Sequence, residues 1–237
     1  MGSIQENIVR RRREGCSMEN DIEIMESLNR RHPKDHWGHK MKKKGEKAVR
    51  IAFVNVNGIG THARNERSEG IRRFIQEKEI DVMGLAETNV HWGKVASHQT
   101  LWDRTKRWTP NRRLGVAYNI HQRLPTQYQP GGTAIMAFND IAHRYTSSGQ
   151  DTKKLGRWSW ITTMGKQECV TRFVSVYCPK RSGTGMNTVY EQQLQQLHRN
   201  PTAVFWEDLA RDIVKWQSEG NQLVLMGDWN EDIVNGN

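Results

Sequence analysis

Three apolar segments, each running into a polar terminus, constrain this 237-residue chain more than any other feature. VRIAFVNV, from Val49, is rich in β-branched and apolar residues and stops on NGIG, a turn-forming string. DVMGLAET, from Asp81, ends in Glu87 and Thr88, and QLVLMG, from Gln222, hands over to DWNED. Asn55 and Asn57, Glu87, and the pair Asp228 and Asn230 therefore all fall at the ends of expected strands, where sheets gather catalytic groups. In an extended DWN the two polar side chains point to one side and could address one substrate together. An isolated Asp-x-Asn is also a common backbone cap, so the weight lies in the recurrence. The first strand reads as buried.

Between these segments the periodicity alternates. Residues 64–79 place Ile71, Phe74 and Ile75 at helical spacing among charged residues, which predicts a surface helix with one apolar stripe. Strands are expected at GTAIMAF from Gly132, RWSWITTM from Arg157 and TRFVSVYC from Thr171, the last two forming a hairpin across GKQE. Residues 188–197 and 203–218 read as helices, the second with Val204, Leu209, Ile213 and Trp216 facing inward and Gly220 beyond its end. Helices mixed with paired and isolated strands predict an α+β layered fold. Trp102, Trp108, Trp158 and Trp160 could include a base-stacking residue, although strand alternation makes most of them core candidates.

A hydrophobic content of 35% over this length supports one sizeable core preceded by an arm. The arm, residues 1–48, carries Arg10 to Arg13, Arg30 with Arg31, and Lys42 to Lys44, and has few β-branched or aromatic residues, so it is expected to be disordered. A short amphipathic helix around residues 22–28 is compatible with Ile22, Met25 and Leu28. The formal charge of +10 favours a polyanionic partner, nucleic acid before an anionic membrane. Cys16, Cys169 and Cys178 are too few and too scattered for a disulfide framework or a zinc site, which suits a reducing compartment. No apolar run is long enough to span a bilayer, and the expected location is intracellular, nucleus or cytoplasm.

Taken in order, NVNGI, LAET, the Tyr177-Cys178-Pro179 element and MGDWN resemble the endonuclease/exonuclease/phosphatase superfamily over residues 49–237. The resemblance implies a four-layer α/β/β/α sandwich and a divalent-metal-dependent phosphodiesterase, most naturally an endonuclease. It also implies roles. Glu87 becomes the principal metal ligand, with Asn55 beside it as a ligand or orienting group, and the metal is Mg2+ or Mn2+, which suits hard oxygen donors. Asp228 orients or activates the attacking water, Asn230 holds the scissile phosphate, and Tyr177 hydrogen-bonds a phosphate oxygen as charge develops.

Two departures qualify the resemblance. Asn57 stands where many repair-type relatives carry an acid, and Asn-x-Asn-Gly is closer to retrotransposon-type endonucleases; Asn89 stands where a basic residue or His is common. The family pattern also continues past GDxN to a histidine element, so the chain reads as incomplete at the C-terminus. Neither His62 nor His91 is expected to substitute. Lys180, Arg181 and Arg157, with Lys153 and Lys154, are candidates to line a nucleic-acid groove, or else form a solvated basic rim. DNA is favoured over RNA, and no membrane role is expected. The alternatives are an inactive fragment that only binds nucleic acid, and a phosphatase or deadenylase of the same superfamily.

Overall fold

The computed structural model describes residues 41–61, 65–121, 126–181 and 187–231. Residues 44–230 form one compact unit. Most of the expected arm, including the helix around residues 22–28, lies outside the described residues. The compact unit starts at Lys44, earlier than the expected Val49, because the Lys44 ammonium pairs with the largely buried Asp81 at 2.7 Å.

Chain order is β1 (Ile51–Asn55), α1 (Glu66–Glu77), β2 (Val82–Ala86), α2 (Leu101–Thr105), β3 (Arg112–Ala117), β4 (Thr133–Phe138), α3 (Asn139–His143), β5 (Tyr145–Gln150), β6 (Trp158–Met164), β7 (Val170–Tyr177), α4 (Val189–Leu197), α5 (Pro201–Ser218) and β8 (Gln222–Asp228). One sheet has the order β1-β2-β4-β3 and the other β5-β6-β7-β8. β1 runs parallel to β2, and β7 to β8; the remaining pairs are antiparallel, including the expected β6–β7 hairpin. β3 and β5 were not evident in the sequence. RRLGVA and YTSSGQ carry too little apolar alternation to stand out.

The sheets pack face to face. Strand alternation sends Val82 of β2 toward the other sheet, where it joins Ile135, Ile161, Phe173, Val224 and Met226, and sends Met83 and Leu85 outward against Ile71 and Ile75 of α1. On the far side, Phe205, Leu209 and Trp216 of α5 cover Trp158, Val174 and Val176. The result is the expected α/β/β/α layering. The sheets are also tied by the Ser175 hydroxyl, which donates to the Leu85 carbonyl at 2.9 Å. α5 begins where Pro201 takes the first turn and the Asn200 side chain accepts from the Thr202 and Ala203 amides, and it ends before Gly220 at φ 78°.

The first strand departs from expectation. β1 is an edge strand with an exposed or half-buried pattern, and Ile51 is 41% exposed, so its apolar run marks a sheet position rather than a buried one. Phe74 of α1 is likewise exposed while Ile71 and Ile75 are buried. Among the tryptophans, Trp158 and Trp108 are core, and Trp102 is exposed beneath the Arg112 guanidinium at 4.5 Å. Among the described residues no helix is long and apolar enough to cross a membrane.

Candidate active site

The two parallel strand pairs bring four strand ends to one end of the sandwich. Asn55 closes β1, Glu87 follows β2, Tyr177 closes β7, and Asp228 closes β8 directly opposite Tyr177 in register. The Asn55 amide nitrogen donates to Glu87 Oε1 at 2.9 Å and to Asp228 Oδ2 at 2.6 Å, so one side chain from the first sheet clamps two carboxylates, one from each sheet. Its oxygen is taken by the Asn57 backbone N–H at 3.0 Å. In this orientation Asn55 orients both acids through its nitrogen.

Backbone conformation supports the cluster. Asn57, Glu87, Asn89 and Asn230 all have positive φ, between 41° and 53°, a region that residues other than glycine seldom occupy. Such backbone persists only where surrounding contacts hold it. Gly58 N–H donates to the Glu87 carbonyl at 2.7 Å, Gly131 N–H to the Asn89 side chain at 2.7 Å, and Arg67 donates to the carbonyls of Asn57 and Gly58. Arg67 and the Gly131 turn belong to the site's support. Neither carried a signal in the sequence, because Arg67 acts on backbone carbonyls and Gly131 through its own backbone N–H.

Asp228 is fixed at both oxygens, with Oδ1 accepting from the Asn230 N–H at 3.1 Å. The Asn230 carboxamide donates to the Cys178 carbonyl at 2.7 Å, which binds the ends of β7 and β8 together, and the exposed Lys180 donates to the Asn230 carbonyl at 2.8 Å. Tyr177 lies among Glu87, Asp228 and Asn230. Burial, then the neighbouring charges of Glu87 and Asp228, push its phenol well above the ordinary tyrosine value, so it keeps its proton throughout the neutral range.

One predicted position falls elsewhere. Arg157 is not on a groove: its guanidinium is fully buried, paired with Asp151 at 3.2 Å and Asp208 at 2.9 Å and lying over the Trp158 ring. Arg181, by contrast, is exposed beside Glu191. Asn89 is structural, through its contact with Gly131. His91 is buried against Tyr118, and burial and then Lys94 pull its pKa down. His62 lies outside the described residues.

The donor set fits a hard divalent cation. Glu87 and Asp228 offer two carboxylates around a shared amide, matching the one or two carboxylates by which Mg2+ is held while it keeps its waters. Among the described residues no three His, Cys, Asp or Glu side chains cluster as a zinc-type site requires.

No curated protein is significantly similar in sequence. Solved structures similar in fold include a 3′ phosphatase from Neisseria bound to a product DNA hairpin, at 16% identity and a TM-score of 0.48, over 77% of this chain and 58% of that one. An AP endonuclease from Archaeoglobus fulgidus is similar at 16% identity and a TM-score of 0.44, over the same shares. A mannosyl-6-phosphatase from Bacteroides thetaiotaomicron is similar at 16% identity and a TM-score of 0.48, over 79% of this chain and 67% of that one. This chain thus spans less than two thirds of the length of the first two. A model of the Endonuclease/Exonuclease/phosphatase family matches residues 52–233, which takes in every strand but the first residue of β1 and every residue of the carboxylate cluster. The chain belongs to the Endonuclease/Exonuclease/phosphatase family.

Proposed function

We propose that the chain is a divalent-metal-dependent phosphodiesterase acting on nucleic acid, most naturally an endonuclease that cuts DNA. The observation that carries this reading is the Asn55 amide bridging Glu87 and Asp228 across the two sheets. Mg2+ or Mn2+ held at Glu87 would supply a Lewis acid that neutralises charge on the phosphate. Glu87 would hold the ion, and Asn55 fixes the orientation of the Glu87 carboxylate. Asp228, held at both oxygens, orients the attacking water and accepts its proton. Tyr177, kept protonated by its surroundings, donates to a phosphate oxygen as negative charge builds on it. Asn230 and Lys180 hold the strand end on which Asp228 sits, and the exposed ammonium of Lys180 with Arg181 faces incoming phosphates.

A net charge of +10 supports nucleic acid over a neutral or lipid substrate. The Asn-x-Asn-Gly string at Asn55 to Gly58 supports a retrotransposon-type endonuclease, and such a substrate suits an intracellular location, nucleus or cytoplasm. The test is nicking of supercoiled plasmid by the purified chain with Mg2+ or Mn2+, beside Glu87→Ala, Asp228→Ala and an EDTA control. Nicking lost in both variants and in EDTA is the expected result. Salt-sensitive DNA binding that survives Glu87→Ala, with no nicking by folded protein, would leave a binding protein on the same fold.

A further inference from the structure

Arg157, Asp151 and Asp208 form a fully buried charge network whose apparent work is to hold a surface loop. Burying three charges is costly unless geometry is well satisfied, and replacing such groups by apolar ones is often neutral. Here the Asp151 carboxylate accepts from the Leu155 and Arg157 backbone amides at 3.0 and 3.1 Å, while Arg157 links Asp151 to Asp208 on α5. The turn so fixed puts Lys154 at φ 54°, a strained backbone position for a lysine. It also sets Lys153 where it pairs with Asp208 at 2.9 Å.

Beside this turn lies a concavity of about 760 Å3 lined by His121, Lys153, Lys154 and the end of α4 at Gln196 and Leu197. His121 Nε2 sits 3.0 Å from the Lys153 carbonyl, and the Gln196 side chain accepts from Asn119 at 3.0 Å, so the walls are joined to one another. Among the described residues the lining includes no carboxylate. The carbonyl end of α4 carries only a partial negative charge, against which Lys154 sets a full positive one, Lys153 being shared with Asp208.

The loop follows β5, at the same end of the sandwich as Tyr177 and Asp228, because β5 is antiparallel to β6, β6 to β7, and β7 is parallel to β8. Three interstrand steps of about 4.8 Å separate β5 from β8, or roughly 14 Å. That distance spans a few phosphates of one nucleic-acid strand, whose neighbouring phosphates lie further apart than the axial rise of about 3.4 Å. We infer that the His121–Lys153–Lys154 concavity is a second phosphate-binding site, which receives the backbone of a nucleic-acid strand a few nucleotides from the phosphate being cut. This rests on the nucleic-acid phosphodiesterase reading above. Arg157 is then a positioning residue for the site, and direct contact belongs to Lys154 and His121.

The test uses the full chain, with Lys154→Glu and His121→Ala, on three probes. These are a 20-nucleotide duplex, the same duplex carrying neutral methylphosphonates stepped away from the cut, and the p-nitrophenyl ester of thymidine monophosphate, which is too short to reach the concavity. The expected result is a rise of about tenfold in KM on the duplex for Lys154→Glu and a salt slope smaller by about one. Hydrolysis of the small ester should be unchanged, and a methylphosphonate at one position a few nucleotides out should weaken the wild type but not the variant. Duplex cleavage abolished by Glu87→Ala yet identical in the wild type and both pocket variants would overturn the second site and keep the proposed function. If neither substrate is cleaved, inorganic phosphate is titrated while the His121 imidazole is followed by NMR. A shift lost in Lys154→Glu would then sustain an anion site while the phosphodiesterase reading falls, and no shift would end both.

Discussion

The Asn55 amide reaches Asp228 at 2.6 Å across the gap between the two sheets, joining residues at the tips of two edge strands, β1 and β8. The same nitrogen holds Glu87. Replacing Asn55 with Ala leaves two carboxylates facing one another without a shared donor. Loss of an outer partner of this kind weakens metal binding about 10–100-fold. The expected outcome of Asn55→Ala is therefore a shift of that size in the Mn2+ concentration needed for half-maximal thermal stabilisation, and a similar shift in nicking. Asn55→Asp should be worse without metal, because it adds a third negative charge to the cluster.

Tyr177 offers a test in catalysis and another in stability. If the phenol donates to phosphate only as charge develops, Tyr177→Phe should lower kcat by about 10²-fold with little change in KM. The stability effect has a definite sign. The folded state raises the phenol pKa above the ordinary value near 10, so the folded protein holds that proton more tightly than the unfolded chain. The contribution is fully present below about pH 10 and is lost as pH rises above it. In EDTA, the wild type should lose stability to urea faster than Tyr177→Phe between about pH 10 and pH 11; parallel pH curves would count against the buried, charge-flanked phenol.

Arg157 shows how far local sequence reached. Beside Lys153 and Lys154, at the head of a hairpin strand, it looked like a groove residue, and nothing nearby in the chain foretells Asp208 on α5 as its partner. Burial of a charge is decided by partners far apart in sequence, whereas the strand ends carrying Asn55, Glu87, Tyr177 and Asp228 were legible because apolar runs and their polar stops are local. The same distinction explains β1. Its composition announced a strand, but its place at the sheet edge depends on which strands pair with it. The bidirectional role of Asn55, nitrogen to the acids and oxygen to Asn57, also needed the fold.

Removing Arg157 should unfold more than it unbinds. Arg157→Met strands Asp151 in the interior, while Asp208 keeps Lys153 and Arg211, at a cost of about 3–5 kcal/mol. The urea midpoint should fall accordingly, and Arg157→Lys should recover little, since one ammonium cannot span both acids as the guanidinium does. A variant of unchanged stability with weakened DNA binding would return Arg157 to the surface role expected from the sequence.

Gly84 tests whether the spacing of the sheets sets the geometry of the site. It lies in the middle of β2 facing the other sheet, where an added Cβ would come within 2.8 Å of Met226 Sδ and 3.1 Å of Ser175 Oγ. Met226 can turn aside. Ser175 cannot do so without giving up its bond to the Leu85 carbonyl, so the strain falls on the contact between sheets. Overpacking of this kind costs about 1–3 kcal/mol, and Gly84→Val should cost more than Gly84→Ala. Because Asn55 stands on the first sheet and Asp228 on the second, any separation also lengthens their bond. A misplacement of about 1 Å can cost about 10²-fold in rate. Gly84→Ala, assayed well below its melting temperature, should therefore lose nicking activity out of proportion to its loss of stability, with Mn2+ affinity falling alongside. Activity that simply tracks the folded fraction would show that the carboxylate cluster keeps its shape independently of the packing between the sheets.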